Sequence, residues 1–315
     1  MKMRSIPTSL LILLTGLLLC GEALTQKQAQ LSNVVDQVTV PLIVEGNRPF
    51  IDVTFHRPDG STRTARFLVD SGGGGFGMVE PLARDLGLRW GAAVQEEGHE
   101  VAELTEPPKA SVGDFPLDLT SGHVGIAIGQ DNILPPTVSG HAEGMLPGHV
   151  LAHYFVVFDY PKGKFTLARA NALTPKGTPL PMPVGPKTGY PRTEIEVAGT
   201  KYGMLIDTGA SFTLVSDALL KSWGTAHPEW PRYQGAYGEA KTLGGRALET
   251  MTLPGGVWGT QKLTEFGVIS QPERVFERNS KWMAAPVVGS LAGNVLKHFR
   301  LEMDYPNARL YISGP

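Results

Sequence analysis

The stretch MLIDTGASFTLV, residues 204–215, decides how the rest of the chain is interpreted. Three apolar residues lead directly into the carboxylate of Asp207, and a hydroxyl, a glycine and an alanine follow it. A carboxylate at the end of an apolar strand is costly to remove from water unless another group holds its charge or its proton. Asp207 is therefore expected to have a partner elsewhere in the chain.

A second copy of this stretch supplies the expected partner. FLVDSGGGGFGMV, residues 67–79, matches the first stretch with one inserted glycine and has Asp70 at the position of Asp207. In both copies a polar strand is predicted before the motif and a short helix after it. A single Asp-Thr-Gly is typical of an ordinary turn, so the repeated context carries the inference that Asp70 is the partner.

A longer repeat supports the same duplication. GMLPGHVLAHYFVVFDYPKGKFTL begins at Gly144 and GSLAGNVLKHFRLEMDYPNARLYI at Gly289, and 9 of the 24 aligned positions are identical without a gap. The copies begin 74 residues after Asp70 (144 − 70) and 82 residues after Asp207 (289 − 207). Two motifs thus recur in the same order at nearly the same distance, which predicts two homologous lobes.

The boundaries of these lobes follow from the repeats and from composition. Residues 174–191, TPKGTPLPMPVGPKTGYP, are dense in Pro and Gly and suit an extended connection. We therefore expect an N-terminal lobe over residues 38–173, an inter-lobe linker over 174–191 and a C-terminal lobe over 192–315. Residues 24–37 form an N-terminal extension.

The overall composition is that of a globular, mainly β protein. The 315 residues are 42% hydrophobic and 18% charged, with a formal net charge of −2, which argues against a nucleic-acid partner and against an acid-rich disordered chain. The 38 glycines and 25 prolines are many for a helical protein, and runs such as FIDVTF and TEIEV alternate like strands.

The first 23 residues have the pattern of a secretion signal. Lys2 and Arg4 precede an apolar run, and Gly21 and Ala23 follow it with the spacing of a cleavage site. The uncharged stretch of residues 10–19 is short for a stable membrane span, which needs about 20 residues. We expect export to the periplasm or the extracellular space. Cys20, the single cysteine, is in a context similar to a lipoprotein box with an unusual preceding leucine, so a lipid anchor there is the alternative.

At this point the duplicated motifs resemble those of the aspartic proteases, and the pattern G…VLxHF…DYP…L is closest to the bacterial retropepsin-like group, here duplicated in one chain as in the pepsins. The resemblance covers most of residues 38–312. It implies an all-β, bilobal fold of two β-barrel-like lobes with a few short helices, one aspartate from each lobe, and a hairpin flap over a bound peptide. It implies no cofactor and no metal.

The chemistry of two adjacent carboxyls agrees with this resemblance. Two such groups in contact cannot both ionise cheaply, so Asp70 and Asp207 are expected to share one proton over a broad pH range. The ionised member then takes a proton from a water molecule while the protonated member donates to the scissile carbonyl oxygen. We expect a monomer that acts on a peptide or protein substrate.

The neighbours of the aspartates have predicted supporting roles, listed here by copy: Ser71, Gly72 and Gly73, and Thr208, Gly209 and Ala210. The two glycines are expected to let the backbone turn sharply and aim amide groups at the carboxylates. The two hydroxyl residues resemble the pair that joins the loops in the family. Gly73 and Ala210 have no hydroxyl to donate to a carboxylate, which predicts activity at less acidic pH than in relatives with a hydroxyl there.

Other patterns in the chain favour structural explanations. The run SGGGGF lacks the Lys-Ser/Thr ending of a phosphate loop. His149 and His153 have metal-ligand spacing, but no glutamate lies between them and Asn294 replaces the first histidine in the second copy. Asp159 and Asp304 stand in repeated DYP turns, where aspartate bonds to local backbone.

The resemblance also predicts a flap in each half of the chain. The second-half flap is placed at residues 233–245 with Tyr237 at its tip, and the first-half flap at EEGHEVAEL from Glu96.

Pro147 and Ala292 replace the second glycine usual in the late segment of the family, although a glycine follows each. This departure motivates an alternative function, a non-catalytic peptide-binding module on the same scaffold. A dimer need not be assumed as the active unit, because one chain has both motifs.

Overall fold

A computed structural model of the chain describes residues 35–96, 99–120, 124–134, 140–226, 249–251, 256–263 and 266–314. Residues 37–315 form one compact unit, and of the separate unit at residues 1–36 only Val35 and Asp36 are described. The predicted signal and extension thus lie almost entirely outside the described residues. Among the described residues, no helix has the length and apolar character needed to cross a membrane.

Strand β1 (Gln37–Pro41) begins the fold. The next ten strands form an N-terminal sheet: β2 (Ile43–Glu45), β3 (Arg48–His56), β4 (Thr62–Asp70), β5 (Phe76–Val79), β6 (Val94–Glu96), β7 (His99–Glu103), β8 (Ala110–Val112), β9 (Phe115–Pro116), β10 (Val124–Ala127) and β11 (Gly144–Pro147). Three strands follow them: β12 (Phe155–Asp159), β13 (Lys164–Ala168) and β14 (Leu180–Pro181).

Nine further strands form a C-terminal sheet: β15 (Arg192–Val197), β16 (Thr200–Asp207), β17 (Thr213–Ser216), β18 (Gly224–Ala226), β19 (Glu249–Met251), β20 (Val257–Trp258), β21 (Gln261–Lys262), β22 (Phe266–Gln271) and β23 (Gly289–Ala292). The last two strands are β24 (Arg300–Asp304) and β25 (Arg309–Ser313). The described α-helices are short: α1 (Glu80–Asp85), α2 (Gly148–Leu151), α3 (Asp217–Trp223), α4 (Glu273–Ser280) and α5 (Gly293–Leu296). The expected all-β fold is confirmed.

The two large sheets have the same strand order. It runs β6-β7-β10-β5-β11-β4-β3-β8-β9 in the N-terminal sheet and β18-β19-β22-β17-β23-β16-β15-β20-β21 in the C-terminal sheet. In each, the strand that ends in an aspartate pairs in parallel with the first strand of the longer repeat. The duplicated sequence therefore folds into a duplicated topology. The predicted lobe boundaries themselves stay a prediction.

A third sheet joins strands from both repeats, in the order β1-β13-β12-β24-β25-β14. At its centre β12 pairs antiparallel with β24, so the two copies of the DYP segment run side by side. All five residues of β12 are buried, as the apolar run FVVF before Asp159 indicates for the first four. The predicted linker adds β14 to this sheet, because Leu180 pairs with Leu310.

The DYP turns close on local backbone, as predicted. Asp159 Oδ1 accepts from the Lys162 N–H at 3.3 Å, and Asp304 Oδ1 accepts from the Asn307 N–H at 3.3 Å. Asp159 is also paired with Arg300 at 2.7 Å across the shared sheet. The aspartates of these turns thus stabilise the turns and the joint between the repeats.

The turns differ at their left-handed residue, which predicts opposite responses to substitution. The first copy has Gly163 at φ 58°, whereas the second has Ala308 at φ 53°. An L-residue there costs about 1 kcal/mol. Ala308→Gly is therefore expected to raise the free energy of unfolding by up to about 1 kcal/mol and Gly163→Ala to lower it by about as much or more, measured by urea unfolding. Changes of the same sign in both variants would contradict this.

Candidate active site

The two aspartates occupy equivalent strand ends. Asp70 ends β4 and lies beside Pro147 of β11, while Asp207 ends β16 and lies beside Ala292 of β23. The residues before them are fully buried, since Val69 and Ile206 are 0% exposed. The apolar strand is therefore buried up to each aspartate, and the aspartates themselves are partly buried.

The structure brings the two carboxyl groups close together across the loops that follow these strands. They are near enough for the charge of Asp207 to raise the pKa of Asp70. Each carboxyl also rests on the glycine of the opposite loop. A Cβ atom built at Gly72 would lie 2.7 Å from Cγ of Asp207, and one built at Gly209 would lie 2.5 Å from Oδ1 of Asp70 and closer still to its other carboxyl atoms. Each loop thus forms a wall of the other aspartate's pocket.

The turn and the amide predicted at Gly72 are present, because its N–H donates to Asp70 Oδ1, but they do not explain why glycine is needed at position 72 or 209. Neither glycine has a positive φ angle, so the backbone conformation does not require them. They are needed because a side chain at either position would overlap the opposing carboxyl group. The requirement is one of space between the two halves of the site.

Backbone amides surround each carboxyl group in the same way. Gly72 N–H donates to Asp70 Oδ1 at 2.9 Å and Ala210 N–H donates to Asp207 Oδ1 at 3.0 Å. Gly73 and Gly209 amides also lower the pKa of Asp70 and Asp207, respectively. These amides favour the charged form of each group.

Burial has the larger effect on both groups. It raises the pKa of Asp70 to about 7, with a further contribution from the charge of Asp207. Burial also raises the pKa of Asp207. Because the groups are in contact, they titrate as a pair, and the singly protonated form is the stable one over a broad range of pH.

A buried hydroxyl network holds the two loops together. The Ser71 hydroxyl donates to Ile206 O at 2.6 Å, and the Thr208 hydroxyl donates to Val69 O at 2.7 Å. Each hydroxyl oxygen accepts the backbone N–H of the other residue, at 3.1 Å for Ser71 and 2.9 Å for Thr208. Each half therefore anchors the strand end of the other half with side chains that are fully buried.

The departures at Pro147 and Ala292 leave the support behind the aspartates in place. Both residues end their strands in register with the aspartates, and a one-turn helix begins at the following glycine. A Cβ atom at Gly148 would lie 2.6 Å from Ser71 O, and one at Gly293 would overlap Asn47 O. Glycine one position later thus provides the close packing.

A comparison with known families agrees with this geometry. The family model described as aspartyl protease matches residues 193–265, which include Asp207, Thr208, Gly209 and Ala210. This part of the chain is therefore similar to the aspartyl proteases. No curated protein matches the chain.

Two residues that the sequence patterns did not predict lie close to the aspartate loops. Arg48, at the start of β3, donates from Nε to Gly209 O at 2.6 Å. The hydroxyl of Tyr190 lies 3.1 Å from the position that a Cβ atom on Gly74 would take. A local signal for Arg48 exists, because Gly46 and Asn47 before it have the composition of a two-residue hairpin turn.

Other residues predicted for the site lie apart from the pair or outside the described residues. Tyr237 and residues 233–245 lie outside the described residues. The first-half segment from Glu96 contributes to β6 and β7, which pair antiparallel. Among the described residues, no group of three or more His, Cys, Asp or Glu side chains is placed to hold a metal ion.

Proposed function

We propose that the protein is an aspartic endopeptidase of retropepsin-like type, in which Asp70 and Asp207 activate one water molecule for attack on a peptide bond. The observation that carries this proposal is the pair of adjacent, partly buried carboxyls, each walled by the glycine of the opposite loop. One chain supplies both groups, so we propose a monomer. The charged and apolar start of the sequence supports export as its route.

The protonation of the pair supports both halves of the reaction. The ionised carboxyl removes a proton from water as its oxygen bonds to the scissile carbon, and the protonated carboxyl donates its proton to the carbonyl oxygen. When the C–N bond breaks, the proton taken from water passes to the leaving nitrogen, and a hydroxyl of the tetrahedral intermediate returns its proton to the other carboxylate as the carbonyl re-forms. The pair then again holds one proton. The amides of Gly72 and Ala210 keep the carboxyl groups oriented throughout.

Peptide digestion with a statine inhibitor tests this function. The full chain is incubated with a peptide library from pH 3 to pH 8, with serine-directed and metal-chelating inhibitors present to suppress contaminating proteases. We expect cleavage at internal peptide bonds, and its loss when a statine compound, whose hydroxyl imitates the attacking water, saturates the protein.

Two results would contradict the proposal. Cleavage that persists at saturating statine would show that another group performs the attack. Peptide binding without cleavage at any pH would instead favour the non-catalytic binding module on this scaffold.

A further inference from the structure

One turn of the N-terminal sheet reaches into the second aspartate loop. Gly46 and Asn47, at φ 55° and 65°, form the two-residue connection between β2 and β3, as in a type I′ turn. Asn47 Nδ2 donates to Ser211 O at 3.2 Å, and the Ser211 hydroxyl donates to Gly46 O. This turn places Arg48 directly against Gly209.

Arg48 is unusual in its burial. It is 7% exposed and is the only buried lysine or arginine among the described residues. A guanidinium group removed from water is strongly destabilising unless a negative charge compensates it. The carbonyl of Gly209 takes up one N–H of Arg48, and the same glycine is the wall on which the Asp70 carboxyl rests. The buried cation thus lies beside the two partly buried acids.

The second half of the chain has no cation at the equivalent position. Phe50 pairs with Leu68, two residues before Asp70, and Arg192 pairs with Leu205, two residues before Asp207. Phe50 and Arg192 are therefore equivalent, and so are the residues two positions before them in the chain, Arg48 and Tyr190. Among the described residues, Arg48 is thus the one buried cation near the two acids. Its single positive charge matches the single negative charge of a pair in which one carboxyl is ionised.

The other charged or titratable groups around the turn and the pair have different surroundings. Lys297 Nζ donates to Asn47 Oδ1 at 3.0 Å, and Glu45 is paired with Arg66 at 3.3 Å. Tyr305 is buried near Asp70, and burial together with the charge of Asp70 raises its pKa, so its hydroxyl is neutral. Arg48 lowers the pKa of both aspartates.

We propose that Arg48 is the counter-ion of the aspartate pair, a positioning residue whose charge holds the pair in its singly ionised form and whose Nε–H fixes the Gly209 wall. Its importance for turnover rests on the proposed peptidase function. Its effect on the charge of the pair does not depend on that function and can be measured separately.

Loss of the counter-ion makes every proton of the pair harder to remove. In Arg48→Met both macroscopic pKa values of the pair are expected to rise, and the acid limb of the kcat/KM profile is expected to move to higher pH by about one pH unit. Arg48→Gln keeps an N–H donor for Gly209 without the charge and should give the same shift. Arg48→Lys should restore the wild-type profile in large part.

Arg192→Met is the matched control. Arg192 also donates from Nε to a backbone carbonyl, that of Pro286 at 2.9 Å, and is paired with Glu194 at 3.1 Å. Its loss removes an arginine from the equivalent strand of the other half. The pH profile of the pair is expected to stay where it is in the wild type.

The experiment combines rate profiles with a titration that needs no activity. Asp70 and Asp207 carboxyl carbons are followed by 13C NMR in the wild type and in the three variants that change charge, Arg48→Met, Arg48→Gln and Arg192→Met, with Asp→Asn variants for assignment. A rise in both Arg48 variants and none in Arg192→Met supports the counter-ion, even if no peptidase activity is found and the proposed function fails. Unchanged titration in a folded Arg48→Met or Arg48→Gln protein overturns the counter-ion, even if the peptidase activity is confirmed.

Discussion

Asp207→Asn is expected to lower kcat/KM for peptide cleavage by roughly 10³-fold or more, because the pair loses the group that exchanges a proton with water. Asparagine has nearly the same shape, and its carbonyl oxygen can still accept the Ala210 N–H that Asp207 Oδ1 accepts at 3.0 Å. Peptide and statine binding should therefore change much less than the rate. A loss of turnover with binding retained identifies the residue as part of the reaction.

The free energy of unfolding of Asp207→Asn should not fall together with its activity. Burial raises the pKa of both groups in the folded protein, and the charge of Asp207 raises that of Asp70 further. A carboxyl with a raised pKa favours folding below its unfolded pKa and loses that contribution as the pH rises through the folded value. The wild type should thus lose stability as the pH rises through about 7, where Asp70 ionises. Asp207→Asn removes the like charge, so its free energy of unfolding at pH 8 should be no lower than that of the wild type.

Asp52→Asn is the control for this variant. Asp52 lies on β3 with its side chain exposed to solvent. Its change should leave both kcat/KM and the free energy of unfolding close to the wild-type values. Wild-type rates in Asp207→Asn, or an equal loss in Asp52→Asn, would rule out the proposed use of the pair.

The parts of the site that repeat in the sequence could be predicted from it. Asp70 and Asp207 were found because each stands in a matched context, and the same strand order in both sheets brings equivalent strand ends to equivalent places. The backbone-bonding role of Asp159 and Asp304 was predictable because Asp side chains bond to turns only a few residues away. Local patterns and duplication are therefore readable from one sequence.

Arg48 could not be assigned in this way. Its carbonyl partner, Gly209, is 161 residues away in the chain, and the second copy has Tyr190 at the equivalent position, so duplication gives no signal. The glycine at position 209 was predicted, but the reason for it was not. A side chain there would collide with the carboxyl group of Asp70, which comes from the other half of the chain. Contacts between the repeats need the packed structure.

Gly209→Ala is expected to lower kcat/KM by about 10²-fold or more and the free energy of unfolding by about 1–3 kcal/mol. A Cβ atom at this position would lie 2.5 Å from Oδ1 of Asp70 and closer to Cγ and Oδ2, so all three carboxyl atoms would have to move. The loop has little freedom to move instead. The Arg48 guanidinium holds Gly209 O, and the Thr208 hydroxyl holds Val69 O of the opposite strand.

Two further glycines turn this prediction into a series. Gly72→Ala places its Cβ atom 2.7 Å from Cγ of Asp207, a milder overlap, and should be impaired less than Gly209→Ala. Gly75 belongs to the same glycine-rich run, but its φ angle is not positive and a Cβ atom there would meet nothing within 4 Å. Gly75→Ala should therefore behave as the wild type.

Rates, active-site titration with a statine compound and urea unfolding measure the series together. The order expected for loss of kcat/KM is Gly209→Ala, then Gly72→Ala, then Gly75→Ala, because the overlap with the opposing carboxyl group decreases in that order. A Gly209→Ala protein as active as Gly75→Ala would mean that the opposing carboxyl is free to move away. The two carboxyls could then not be held in the fixed contact on which a shared proton depends.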